Sequence, residues 1–328
     1  MIRALHFTSD GTLRTNLSPA DFPKTLQEPD SMLWVDFQET APAEDEPILL
    51  QTFGFHPLAV EDALQESHVP KLDDWGEYLY IVLHAVVFDQ NTDPTLDTRE
   101  LDIFVGRNYM VTHHDEPISA LDRAWSACQR DARYWRNGVD HLLYRLTDEV
   151  VTSYMPIVEQ MDEEIDLIED RVFGNPSPQV LEHIFAIKRA VLHLRRIISP
   201  QREVLNKLAR DDYEVIDIKA RIYFRDVYDH LVRLNDIIES LRDLIGGTLD
   251  TYLSVINNRM NEIMKTLTII TTLFMPLSFL TGFFGMNFFQ PVLPLHAWTG
   301  QAAFLVTLAL TLLVPFTMYQ WMRRRGWM

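Results

Sequence analysis

The fifty-seven residues from Thr266 to Met322 include no Lys, Arg, Asp or Glu, although 23% of the chain is charged. A stretch of that kind is built for a solvent other than water. It holds two apolar runs, Thr266–Phe284 and Ala302–Trp321. Each is close to the roughly 20 residues that cross a hydrocarbon core of about 30 Å. Residues 285–301 between them are broken by Gly285, Pro291, Pro294 and Gly300. A helical hairpin buried in a soluble core is the alternative, but such helices are shorter and seldom charge-free on every face. The pattern predicts two membrane-spanning helices.

Charge asymmetry orients them. Lys265 precedes the first run, Arg323, Arg324 and Arg325 follow the second, and the connecting segment has no Lys or Arg. The positive-inside rule then places both termini in the cytoplasm, with Trp298 and Trp321 suited to the interfacial aromatic belts. The opening MIRALHF has no apolar core of a cleaved signal peptide. The single cysteine, Cys128, excludes an internal disulfide and fits a reducing compartment. A formal net charge of −18 argues against nucleic acid or an anionic lipid surface as partner and favours cations. From Asp148 to Asp170 there are nine acids and no base, readable as a solvated helix face or as an electrostatic sink for cations.

Residues 1–115 read as a cytoplasmic α/β domain. Strands are expected at 1–7, 33–37, 78–88, 101–105 and 109–112, rich in β-branched and aromatic residues, with a helix at 57–67. His113 and His114 adjoin on a strand, so they point to opposite faces and are a poor shared ligand set. No glycine-rich phosphate loop and no nucleophile–base pair stands out, so the chain is not read as an enzyme. Residues 116–263 read as a cytoplasmic helical region. Amphipathic stretches are expected at 118–135 and 139–172, with a break at Gly174-Asn-Pro-Ser-Pro and a basic helix at 179–208 whose charge complements the acidic stretch before it. A stalk helix is expected from about 218. It runs into the first transmembrane helix, 264–284, with Gly246-Gly247 and Pro276 as candidate bends. An external loop (285–301), a second transmembrane helix (302–321) and a basic cytoplasmic tail (322–328) complete the chain.

Read in sevens, the long helix carries two registers: Asp236, Asp243, Asp250, Asn257, Met264, Thr271, Ser278, Gly285, and Ser240, Gly247, Ser254, Asn261, Thr268, Met275, Gly282. Together they have the 3–4 spacing of a supercoiled seam. Apart from the two methionines the seam is polar or small. It reads as close packing through small residues or as a water-lined face. The acids below the membrane favour water, because a row of carboxylates cannot form a dry contact without neutralising partners. One copy of two spans cannot enclose a pore, so several first spans must surround an axis with the second spans outside.

The run from Asn261-Glu-Ile-Met-Lys-Thr, through Phe274-Met-Pro-Leu, to Gly282-Phe-Phe-Gly285-Met286-Asn287-Phe288 resembles the CorA family of divalent cation channels. That family carries Gly-Met-Asn at the end of the first of two C-terminal spans. Tyr223-Phe-Arg-Asp226-Val-Tyr-Asp-His230 and His56-Pro-Leu with Glu61-Asp62 also resemble family sequences. The resemblance implies an α+β cytoplasmic domain, a long stalk helix and two transmembrane helices in a funnel-shaped homopentamer of the inner membrane. It implies a selectivity filter of Gly285, Met286 and Asn287. It also implies pore-facing Asn261, Met264, Leu267, Met275, Ser278 and Gly282, to which the seam adds Asp250, Asn257 and Thr271. Regulatory Mg²⁺ would sit between protomers on Asp226, with Asp89 and Asp148 as partners.

The implied function is influx of Mg²⁺, with Co²⁺ or Ni²⁺ as further cargo, closed by cytosolic Mg²⁺. Filter carbonyls and Asn287 amides would hydrogen-bond to the water shell of an ion that gives up its water reluctantly. Gly285 would supply backbone freedom, Met264 and Leu267 an apolar constriction, and Asp250 a cation-concentrating ring. The loop after the motif, Phe289 to Trp298, has no acid but includes His296. A Zn²⁺ transporter of the same fold, proton-coupled or not, therefore stays open as an alternative. A non-conducting membrane-anchored metal sensor is a second one.

Overall fold

The computed structural model describes all residues except 16, 66–68, 90–94, 287–299 and 328, and the side chains of residues 89 and 95. Met1–Asp250 and Thr251–Met328 form two compact units. The first is built on seven strands: β1 (Ile2–Phe7), β2 (Leu13–Thr15), β3 (Met32–Gln38), β4 (Lys71–Asp74), β5 (Leu79–Asp89), β6 (Thr95–Val105) and β7 (Tyr109–His114). Their order is β2-β1-β3-β7-β6-β5-β4. Only β3 and β7 pair in parallel. The long apolar strands lie where their composition predicts, except that β6 begins at Thr95, six residues before the expected start, as the mostly polar stretch 95–100 pairs with β5. β2 and β4, three and four residues of mostly polar side chains, exist through their pairing with β1 and β5.

Side chains alternate across the sheet. Leu33, Val35 and Phe37 of β3, with Tyr80, Val82, Phe104 and Val111, pack against Phe22 of α1 (Phe22–Leu26) and Ala59, Val60 and Ala63 of α3 (Pro57–Leu64). Trp34 points the other way and meets Trp125 of α4 (Ser119–Arg130), ring centroids 4.9 Å apart. Helices α5 (Val139–Thr152), α6 (Tyr154–Gly174) and α7 (Pro178–Arg210) complete that layer. The consecutive histidines divide as the two-residue strand period requires. His114 Nε2 lies 3.4 Å from Asp36, and His113 Nε2 lies 3.5 Å from Asp45 of α2 (Pro42–Pro47).

The expected helix at 139–172 is broken at Ser153. Pro156 has no N–H to offer the Thr152 carbonyl, so the ladder lapses there. Buried Tyr154 donates its hydroxyl to the His84 carbonyl and accepts from Gln201 Nε2 at 2.6 Å, while Gln201 Oε1 accepts from the His84 N–H at 2.8 Å. The β4 ladder stops at Val82; Gln201 supplies the acceptor that a neighbouring strand would have given. The α6–α7 charge complement is realised only in part. Glu164 meets His183 at 3.5 Å, but Arg195 pairs with Glu239 of the following helix at 2.6 Å.

That helix, α8 (Arg221–Phe284), runs 64 residues without a break, about 95 Å at 1.5 Å per residue. A turn at Asp217–Ala220, in which Asp217 accepts the N–H groups of Lys219 and Ala220, precedes it and sets its start. Gly246, Gly247 and Pro276 all lie within it. The last helix is α9 (Gln301–Arg324). Both are long and apolar enough to cross a membrane, and no part of either apolar window is buried in the protein. That removes the soluble-hairpin alternative, whose apolar surface would have to be covered.

Candidate functional site

Helix α8 owes its length to two opposed stripes. One is apolar and buried in the first unit: Phe224, Val227, Leu231, Leu234, Ile238, Leu241 and Ile245, spaced three and four apart. Its continuation through the apolar run is half-covered at Ile269, Thr272, Leu273, Pro276, Leu277, Leu280 and Phe284. Helix α9 has a matching stripe at Ala303, Thr307, Thr311, Val314, Met318 and Met322. Each stripe is the covered side of its helix.

The polar seam is the other stripe. Each of its positions from Asp236 to Gly285 is exposed, the methionines Met264 and Met275 by 59% and 67%. On a helix turning about 100° per residue, the covered positions of the apolar run centre about 160° away from Met264, Thr268, Thr271, Met275, Ser278 and Gly282. The seam is thus left open on the side of the helix opposite its covered stripe. Asp250, Asn257, Asn261 and Leu267 are exposed on the same side.

Gly285 caps this surface. Its N–H donates to the Thr281 carbonyl at 3.0 Å, and a Cβ at residue 285 would come 3.0 Å from that same oxygen. A side chain there would press closer than ordinary contact, so glycine suits the position by close approach; its φ does not lie in the left-handed region, so the expectation of special backbone freedom is corrected. Met286 follows, exposed. Asn287 lies outside the described residues.

The expected regulatory acids are distributed over three elements. Asp226 is exposed on α8, and Asp148 is half-buried on α5. Asp89 ends β5, with its side chain outside those described. Burial raises the Asp148 carboxyl above the ordinary carboxylate range. Arg145 and His230 act against that rise, whereas Glu149 and Asp226 add to it. Asp148 and Asp226 of one chain therefore share an electrostatic neighbourhood in which the Asp226 charge adds to the rise at Asp148, a setting that a cation relieves. Two members of that neighbourhood were not singled out by sequence. Arg145 lies 3.3 Å from Asp148 and 3.5 Å from Glu149. The i, i+3 and i, i+4 spacing was the available signal, as was the placing of His230 one turn after Asp226. Among the described residues, no group of three or more His, Cys, Asp or Glu is arranged to hold a metal ion within one chain.

Over residues 29–324 the sequence matches the family model described as CorA-like Mg²⁺ transporter protein. The chain belongs to the CorA family. The cobalt/magnesium transport protein CorA of Thermotoga maritima is 34% identical over 281 residues, spanning 84% of this chain and 78% of that protein. The complete structure of the CorA magnesium transporter from Methanocaldococcus jannaschii superimposes with a TM-score of 0.85 at 23% identity, covering 100% of this chain and 99% of that one. The ZntB cytoplasmic domain from Vibrio parahaemolyticus shares the fold at a TM-score of 0.62 and 14% identity, covering 79% and 99%. The CorA architecture expected from the Gly-Met-Asn motif is thus the one found: a mixed sheet flanked by helices, one long helix and two candidate membrane spans.

Proposed function

We propose that this CorA-family chain is a passive divalent-cation channel assembled as a homopentamer, with Mg²⁺ as its principal ion and Co²⁺ or Ni²⁺ as further cargo. The observation that carries the reading is the seam: a polar helix face about 50 residues long, exposed throughout and opposite the face the chain itself covers. Copies of α8 gathered round an axis would turn that face inward, giving a wet path with the α9 helices outside. Asp236, Asp243 and Asp250 would concentrate cations below the membrane. Met264 and Leu267 would form a constriction that closes by dewetting, and Gly285, Met286 and Asn287 would bind the ion with its water in place.

Regulation follows from the acids outside the membrane. Asp226 of one protomer, with Asp148 and Asp89 as partners, would take Mg²⁺ across a protomer boundary. Oxygen donors of this kind suit that ion. The bound cation would offset the burial that raises Asp148, and the Glu149 and Asp226 charges that add to it, and favour the closed arrangement, so that entry limits itself. Arg145, already on Asp148, competes with the cation for that carboxylate.

A Zn²⁺ transporter is the second reading, favoured by the acid-free loop with His296. Neither apolar run contains an acid, a base or a histidine, so proton coupling would have to act outside them. Flux into proteoliposomes separates the readings. Mg²⁺ uptake that needs no pH gradient is the expected result. Zn²⁺ uptake driven by a pH gradient, without Mg²⁺ flux, would replace the first reading by the second. Failure to pass either ion would leave a membrane-anchored sensor.

A further inference from the structure

Four threonines near or within the first span use their hydroxyl protons on their own helix. Thr266 donates to the Glu262 carbonyl at 2.9 Å, Thr268 to Met264 at 2.7 Å, Thr271 to Leu267 at 2.9 Å and Thr281 to Leu277 at 2.9 Å. A hydroxyl has one proton and two lone pairs. With the proton spent on a carbonyl one turn back, the side chain faces outward as an acceptor only. Thr268 and Thr271 are exposed on the open seam; Thr266, about 140° round the helix from Thr271, is not on it.

Thr271 also has a particular place along the axis. Leu267 lies four residues before it and Met275 four after it, about 6 Å in either direction. Without its oxygen, the lining from Met264 to Met275 would be interrupted only by Thr268, near the seam's edge.

We infer that Thr271 is a specificity-determining residue: an acceptor ring that passes hydrated divalent cations through the apolar step and refuses anions. This rests on the channel reading above. A hydrated cation turns its water hydrogens outward, so it meets acceptors that suit it. A hydrated anion needs donors and finds none. The discrimination needs no charged side chain in the span, and the apolar run has none. Because the cation keeps its shell, the cost of dehydrating it does not arise at this level.

Four variants of the full-length channel in liposomes test the assignment. Thr271→Val keeps the shape and removes the oxygen; Mg²⁺ flux should fall by at least about tenfold as the apolar step lengthens. Thr271→Ser restores the acceptor and should recover flux to within about threefold of wild type. Thr266→Val removes an equivalent hydroxyl–carbonyl bond off the seam and should leave flux unchanged. If it lowers flux as much as Thr271→Val does, the effect is one of helix mechanics and the assignment falls. Thr271→Cys probes the underlying reading with a water-soluble cationic thiol reagent. The only native thiol, Cys128, is 1% exposed and pushed up to about 12 by burial, so it stays silent. Labelling that blocks flux, together with normal flux in Thr271→Val, would overturn the acceptor role and keep the channel. No labelling and no flux loss in either variant would overturn both.

Discussion

Asp36 has no exposed surface. Burial by itself would raise its carboxyl; His114, Arg3 and Thr112 around it hold it below the ordinary range instead. Burial would likewise lower His114, and Asp36 raises it. The sign of the pH dependence follows from the two directions. The His114 contribution is complete below its unfolded value, about 6.5, and is lost as pH rises through the higher folded value. The Asp36 contribution is complete above about 3.9 and is lost as pH falls through the lower folded value. The pair therefore stabilises most in mildly acidic solution. Asp36→Asn, which leaves Arg3 and His114 without their buried anion, should cost about 3–5 kcal/mol there. The gap in melting temperature from wild type should narrow as pH rises through the raised value of His114, because the imidazole then loses its proton and only Arg3 and Thr112 still need the carboxylate. A gap that stays constant from mildly acidic to strongly alkaline solution would show that the histidine takes no part. That His113 and His114 face opposite ways was legible from the strand period. Their partners Asp36 and Asp45 were not, because only the sheet and the return of α2 bring them near.

At the scale of elements, the junction of β5, α6 and α7 depends on a closed set of hydrogen bonds among His84, Tyr154 and Gln201. Gln201→Leu fits the space but leaves a buried N–H and a buried hydroxyl short of partners, at a cost of about 1–3 kcal/mol. The melting temperature should drop, and amide exchange should quicken at His84 more than at the strand centre. Unchanged exchange at His84 would mean that another group satisfies it. Nothing in the sequence marked Gln201, a fully buried polar residue on a helix whose other polar residues keep some exposure. β2 and β4 were illegible for a related reason: Leu13-Arg-Thr and Lys71-Leu-Asp-Asp have no apolar alternation, and their strand form comes from β1 and β5. By contrast α8 was legible almost to its ends, since an apolar stripe and a polar stripe each recur over many turns. The hydroxyl of Thr271 lies between these cases. Its position on the seam was readable; the direction of its proton, which makes it an acceptor, required the helix backbone.

At the scale of the whole molecule, Asp226 would join residue chemistry to the proposed assembly. It is exposed, and its charge reaches Asp148 in the same chain. A site completed by a neighbouring protomer would have to draw Asp148 away from Arg145. Two substitutions should therefore move Mg²⁺ affinity in opposite directions. Asp226→Ala removes an oxygen ligand and should raise, by at least about tenfold, the Mg²⁺ concentration that protects the cytoplasmic region from protease. Arg145→Ala releases Asp148 from its ion pair and should lower that concentration, provided the protein still assembles. A purely structural role for this cluster would give a different result: both variants would be cut faster at every Mg²⁺ concentration, with the same midpoint as wild type. Opposite shifts would mean that cation and guanidinium compete for one carboxylate.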